Sequence, residues 1–211
     1  MNTLLLEDLN KEIDIKSSSV INGINIKKDI DLKINILKNN ALIINIFSNA
    51  SNRNINLDIN LEKDSKLILN ISFISKKSIN LNVNTRILES KANAKVNVRG
   101  INELNSVTNI IMDGIIHKDT CDVILNEYAK VMNLSDTSSV KIVPNLIVDS
   151  LEAEANHGAA ISDIEIDSIK YLMSKGIKEI DARELLKKSF ILEIMDDESK
   201  DLIKKILNGG I

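Results

Sequence analysis

The chain has two histidines and one cysteine, so any metal or nucleophilic chemistry must be built from very few side chains. His157 lies in the window Glu152-Ala153-Glu154-Ala155-Asn156-His157-Gly158-Ala159-Ala160. This window joins an imidazole and two carboxylates to small neighbours, which leave the ring and backbone accessible. Imidazole and carboxylate suit ferrous iron or zinc. Glu152 and Glu154 are two apart and share one face of a strand, whereas His157 has the opposite parity. A bulge or turn near Asn156-His157-Gly158 is needed to gather all three. The plainer reading is a histidine that closes a strand end and bonds the backbone. His117 and Cys121 stand four apart and would share a strand face; imidazole and thiolate together suit iron or copper. Lys118 would favour the thiolate if it lies close. The plainer reading there is an exposed loop with a half-buried cysteine.

Other signatures are missing from the sequence. No G-x-x-x-x-G-K-[ST] or G-x-G-x-x-G loop is present to cradle a nucleotide, and no G-x-S-x-G nucleophile elbow occurs. Asp196-Asp197-Glu198 reads as a solvated helix start, where acids suit the positive end of the helix.

The elements that must position His157 follow from periodicity. From about residue 12 to 161 apolar side chains recur every second residue, as in Ile55, Leu57, Ile59, Leu61 and Ala94, Val96, Val98. Such alternation gives each strand a core face and a solvent face. Strand starts recur about every 10–12 residues, a spacing shared by sandwiches, barrels and solenoids. The chain has seven Gly and one Pro, too few for a set of tight hairpins. That scarcity, the long run of strands and an aliphatic interior favour stacked coils. Asn fills many turns, because it tolerates the left-handed region. The Ile, Asn and Lys excess is equally readable as drift in genomic base composition.

The last fifty residues change period. Ser162-Asp163-Ile164-Glu165 has the S-x-x-E form of a capping box. It would open a helix with Ile166, Ile169, Leu172 and Met173 on its apolar face and Gly176 at its C-terminal cap. A second helix is expected over about Glu179 to Met195, with Ala182, Leu185, Leu186, Ser189, Phe190 and Ile194 on one face. A third is expected over about Glu198 to Leu207, ended by Gly209-Gly210. The division is therefore a β-core over 1–161 and a small helical domain over 162–211.

Composition excludes several classes. Hydrophobic residues make up 44% and charged residues 27%, and the net charge is -3, which excludes a disordered chain and a basic nucleic-acid footprint. Trp is absent and aromatics total 2%, too few to stack single-stranded bases. One cysteine excludes an intramolecular disulfide and a cysteine-based zinc cage. No signal peptide is evident and no apolar run approaches the ~20 residues of a membrane span. The expectation is a cytoplasmic protein with no membrane or nucleic-acid partner.

Two windows together resemble the core domain of the SufB/SufD family of iron–sulfur cluster assembly proteins. The first runs from Pro144-Asn145-Leu146-Ile147-Val148 to Glu154-Ala155-Asn156-His157-Gly158-Ala159-Ala160-Ile161. The second is Tyr171-Leu172-Met173-Ser174-Lys175-Gly176-Ile177, followed by Asp181-Ala182-Arg183, Leu185-Leu186 and Phe190. Met132-Asn133-Leu134-Ser135-Asp136 adds a third, shorter likeness. The resemblance covers about residues 130 to 192. It implies a mainly β chain, a right-handed parallel β-helix (β-solenoid) with a small C-terminal α-helical domain. It also implies docking of a SufC-like ABC-type ATPase through the helices, at Tyr171, Leu172, Gly176, Ile177, Ala182, Leu185, Leu186 and Phe190. The family histidine falls on His157. Gly158 follows it as in SufD-type members, where SufB-type members have Glu. The essential SufB cysteine would fall near Ala129, and Cys121 is no secure equivalent. The family's N-terminal helical region is expected to be absent.

The expected function is a scaffold or accessory subunit, not an enzyme. It would pair with a SufB/SufD-type homologue or a second copy. A transient iron or iron–sulfur cluster would be held near His157, Glu154, Glu152 and Cys121, with none retained by the isolated chain. Two alternatives remain: a β-solenoid interaction module without metal chemistry, and a metal-dependent enzyme built on Glu152, Glu154 and His157.

Overall fold

A computed structural model describes residues 2–6 and 11–209. Gly210, expected to help end the last helix, lies outside the described residues. Among the described residues eleven strands precede three helices: β1 Asn2–Leu5, β2 Glu12–Ile15, β3 Ser19–Ile24, β4 Ile30–Ile36, β5 Ala41–Leu61, β6 Lys66–Ile87, β7 Asn93–Asn102, β8 Val107–Ile116, β9 Cys121–Asn133, β10 Ser139–Val148, β11 Glu152–Ser162, then α1 Ile166–Ser174, α2 Glu179–Leu192 and α3 Asp197–Leu207.

Every pairing is parallel, and the pairings form two ladders. Ladder A runs β1-β3-β5-β6-β7-β9-β11. Ladder B runs β2-β4, then the second halves of β5 and β6, then β8-β10. Each coil before β11 contributes one strand segment to each ladder, and β5 and β6 are long enough to serve both. The molecule is a β-solenoid of the expected kind. The coil grows along the chain: Ser19 faces Leu42 in the early coils, whereas Asn93 faces Ile124 in the later ones.

The alternating apolar residues meet between the ladders. Ile34, Ile44, Ile59, Leu69, Leu81, Val96, Ile110 and Leu125 are fully buried in one aliphatic cluster. Phe73 is the aromatic within it. A Cβ on its register partner Gly100 would lie 2.2 Å from the Phe73 ring, so the missing side chain makes room for that ring. Corners use the left-handed backbone at Asn25, Asn39, Asp64, Lys91, Asn105 and Asp119, and Asp122 adopts it near the start of β9. Asn, Asp and Lys thus do what glycine does in most turns.

Asparagine also builds the sheets. On the outer side of ladder A the Asn97 amide donates to Asn70 (3.0 Å), Asn70 to Asn45 (3.0 Å) and Asn45 to Asn22 (3.1 Å). On ladder B Asn109 donates to Asn80 (3.0 Å) and Asn80 to Asn54 (2.8 Å). Parallel in-register strands stack identical side chains, and an amide can donate one way and accept the other.

The helices lie against the outer side of ladder A. Phe47, Ile74 and Ile101 of the strands join Phe190, Ile191, Met195 and Ile203 in a second cluster. The Ser72 hydroxyl donates to the Ile191 carbonyl at 2.8 Å. The expected capping box is not formed. Ser162 is held in the ladder opposite Met132, so the helix starts later, with Glu165 at its N-cap and no side-chain cap bond. Ile166 and Met173, expected on the buried face of α1, are exposed at 65% and 45%; Ile169 is buried. The α1 terminus matches expectation. Gly176 has φ +86°, and its N–H donates to Met173 while that of Ile177 donates to Leu172. This is the Schellman pattern, with Leu172 and Ile177 packed together on the third cluster. The second helix stops at Leu192 rather than near Met195.

Candidate functional site: the open end of the solenoid

Strand β9 points Val123, Leu125, Glu127, Ala129 and Val131 inward, and all five are buried. β11 follows it in unbroken register from Ala153 to Ser162. Ala153, Ala155, His157, Ala159 and Ile161 therefore take the inward side of the last coil. β11 ends ladder A, with β9 as its one neighbour. Among the described residues no further coil stacks on it, so His157 is exposed although it points inward.

This register separates the expected ligands. Glu154 lies opposite Ile124, on the outer side. The one irregularity falls between Glu152 and Ala153, not near His157. Glu152, Glu154 and His157 are thus not gathered, because the strand stays regular where a bulge was needed. Cys121 starts β9, opposite Glu152, six residues before the partner of His157. At ~3.3 Å per residue that is roughly 20 Å along the strand. Cys121 is half-buried, with its sulfur 3.4 Å from the Ser90 hydroxyl. His117 and Cys121 do not share a strand either. His117 stands in the turn after β8, where its carbonyl accepts from the Thr120 hydroxyl at 2.8 Å. Among the described residues no three or more His, Cys, Asp or Glu side chains are grouped to hold a metal ion. A metal at His157 would need ligands other than Glu152, Glu154 and Cys121.

The expectation missed Glu127, the register partner of His157. It is fully buried, and neither carboxylate oxygen makes a hydrogen bond of good geometry. Burial pushes its carboxyl up to about 7; Asp113 adds to the rise and the nearby Thr85 hydroxyl opposes it. The carboxylate rests in a notch at Gly114, where a Cβ would lie 2.8 Å from Oε2. Gly114 faces Thr85 on one side and Leu146 on the other. The sequence carried a signal for this: Thr85, Gly114 and Glu127 each interrupt an inward apolar alternation.

The helix residues divide into a surface and its footing. Tyr171, Gly176 and Leu185 are exposed, and Leu172, Ile177 and Leu186 are half-buried. Ala182 is fully buried, and Phe190 is buried with Arg99 and Lys130 over its ring at 5.6 and 5.8 Å. These two are buried in the clusters that join the helices to the β-body. No helix among the described residues is long and apolar enough to cross a membrane.

Comparison with known proteins matches this arrangement. The family described as "SUF system FeS cluster assembly, SufBD core domain" matches residues 38–190. An "Iron-sulfur cluster assembly protein SufD" of Plasmodium falciparum is 38% identical over 92 residues, which cover 43% of this chain and 6% of that protein. An iron–sulfur cluster assembly SufBD family protein of Pyrococcus horikoshii is 33% identical over 98 residues, covering 43% of this chain and 20% of the relative. One from Synechocystis is 38% identical over 63 residues, covering 30% and 14%. The matched stretches thus span a small part of each relative. With most of its β-solenoid and the first two helices inside the matched range, the chain belongs to the SufBD core domain family of the SUF iron–sulfur cluster assembly system.

Proposed function

We propose that this chain is a non-catalytic scaffold subunit of a SUF-type iron–sulfur cluster assembly complex, working in the cytoplasm. The observation that carries the reading is the position of His157 on the inward side of an unstacked last coil. Among the described residues strands β10 and β11 each have one neighbour, so their far edges offer free backbone groups. Such edges invite pairing with another chain. Ile147, Val148, Leu151 and Ile161 around this end are exposed. A SufB/SufD-type homologue or a second copy would cover them and bring further ligands to His157. Iron or a nascent cluster is then cargo shared across the junction, and the isolated chain retains none.

The helices serve as the docking surface for a SufC-like ABC-type ATPase. Ile166, Tyr171, Ile180 and Leu185 are exposed apolar side chains of α1 and α2. Ala182 and Phe190 tie those helices to their footing. A movement of the ATPase pair would pass through this footing to ladder A and reshape the junction.

The test is anaerobic co-expression with the ATPase and partner subunits, followed by iron and sulfide analysis. His157→Ala should remove most of the iron and sulfide while the co-purified ATPase and circular dichroism stay unchanged. Equal iron in variant and wild type would overturn the reading.

A further inference from the structure

We propose that Glu127 is the carboxylate partner of His157 in a site for a divalent first-row transition-metal ion at the open end of the solenoid. This rests on the reading of His157 as a ligand and adds the residue that completes its protein share.

The register places Glu127 and His157 directly opposite each other, both on the inward side. Neighbouring strands of a ladder are ~4.8 Å apart, so two such side chains can reach one ion. Glu127 is fully buried, neither oxygen makes a hydrogen bond of good geometry, and the Thr85 hydroxyl is the neighbour that opposes the rise of its carboxyl. An aliphatic interior penalises a carboxyl there unless something compensates it. The flanking inward positions of β9 are apolar, so the fold does not require an acid. The carboxyl lies against Gly114 of the preceding coil, so metal binding requires its side-chain torsions to turn it out of that notch towards His157 on the adjacent strand. Ala155 and Ala159 flank His157 on the inward side, so no bulky neighbour crowds the ring. Glu152 and Glu154 are poor candidates, because Glu154 lies on the outer side and Glu152 beyond the register shift.

The ligand class follows from the donors. One imidazole nitrogen and one carboxylate oxygen suit Fe²⁺, Co²⁺ or Zn²⁺ better than soft Cu⁺ or all-oxygen Ca²⁺. Two protein ligands leave positions open for water or for groups from a chain paired at the free edge.

Titration of the purified full-length chain with Co²⁺, read by visible absorption and calorimetry, tests the proposal. Glu127→Gln should weaken Co²⁺ binding at least about tenfold, since even an outer partner of a metal ligand costs ~10–100-fold. His157→Ala should abolish it, and the double variant E152Q/E154Q should leave it unchanged. Gly114→Ala fills the notch and lowers stability but keeps the carboxylate, so it should retain Co²⁺ affinity. Loss in His157→Ala with none in Glu127→Gln overturns the role of Glu127 and leaves His157 standing as a ligand. No binding by the isolated wild type, or no change in His157→Ala, overturns this proposal, while the shared-junction reading of His157 is decided separately by the iron and sulfide content of the co-expressed complex. Affinity that follows melting temperature across the variants, rather than the presence of the carboxylate, shows a purely structural Glu127 and overturns the proposal.

Discussion

The Asn45 side-chain amide donates to the Asp196 carboxylate, joining the ladder of asparagines on the β-body to the cap of the last helix. The other Asp196 oxygen accepts from the Ser199 N–H at 2.8 Å. One side chain therefore closes two networks, 151 residues apart in sequence.

Asp196→Ala removes both contacts. A lost N-cap costs ~0.5–2 kcal/mol, and the Asn45 N–H that loses its acceptor, while the other still donates to Asn22, adds ~1 kcal/mol. We expect destabilisation of about 2–3 kcal/mol in urea, with amide exchange in α3 accelerating more than in β7. A change below about 0.5 kcal/mol, or uniform acceleration, would show that the helices dock without this junction.

The ladder itself gives a second expectation. Asn70 accepts from Asn97 and donates to Asn45, and it is nearly fully buried under the helices. Asn70→Ala leaves a donor on one neighbour and an acceptor on the other without a partner, at a cost of roughly 2–4 kcal/mol. Asn109→Ala, at the half-exposed end of the ladder B row, should cost below about 1 kcal/mol. Equal effects in thermal melts would mean that the buried ladder is incidental.

These ladders mark where the sequence was legible and where it was not. Period-two alternation announced the strands, and the scarcity of Gly and Pro pointed away from hairpins. Stacking was legible because one aliphatic face repeats through Ile55, Leu81 and Ile110, which become register neighbours. The asparagine excess read equally as compositional drift, because an amide ladder exists only once coils are in register. Ser162 misled for a related reason. Its local S-x-x-E pattern favours a cap, but pairing with Met132 holds it in the sheet. At the candidate site, His157 stood out by type and neighbours. Glu127 did not, because its meaning depends on a partner 30 residues away in the next coil. The buried footing of Ala182 and Phe190 was hidden likewise, since an amphipathic helix does not say which side meets its own β-body.

Glu127 also gives stability a pH dependence of unusual sign. Its carboxyl is raised from 4.5 to about 7 in the folded chain, so between these values the folded state holds a proton that the unfolded state has released. Its contribution is fully present below about pH 4.5 and is lost as pH rises through 7. A shift of this size corresponds to roughly 3 kcal/mol. Glu127→Gln keeps the shape without the titration. The stability difference, variant minus wild type, should grow by about that amount from pH 4.5 to pH 8 in metal-free buffer. Parallel pH profiles for the two proteins would show that the carboxyl is not held at a raised value.

The free edge of β11 makes the last expectation. Ile161 and Val148 are exposed at 54% and 41% near the open end, where the proposed partner would sit. Neither fills the core, so replacing both with Lys should leave the melting temperature within about 2 °C, as surface changes of up to ~0.5 kcal/mol do in a chain of this size. Like charges facing each other across a self-pairing edge, and the loss of two apolar contacts, should weaken association at least about tenfold. Sedimentation velocity over a range of micromolar concentrations measures this for self-pairing, and pull-down with a SufB/SufD-type subunit measures it for the mixed pair. If the double variant associates as the wild type does in both assays, the junction lies elsewhere. His157 would then face solvent rather than a second set of ligands.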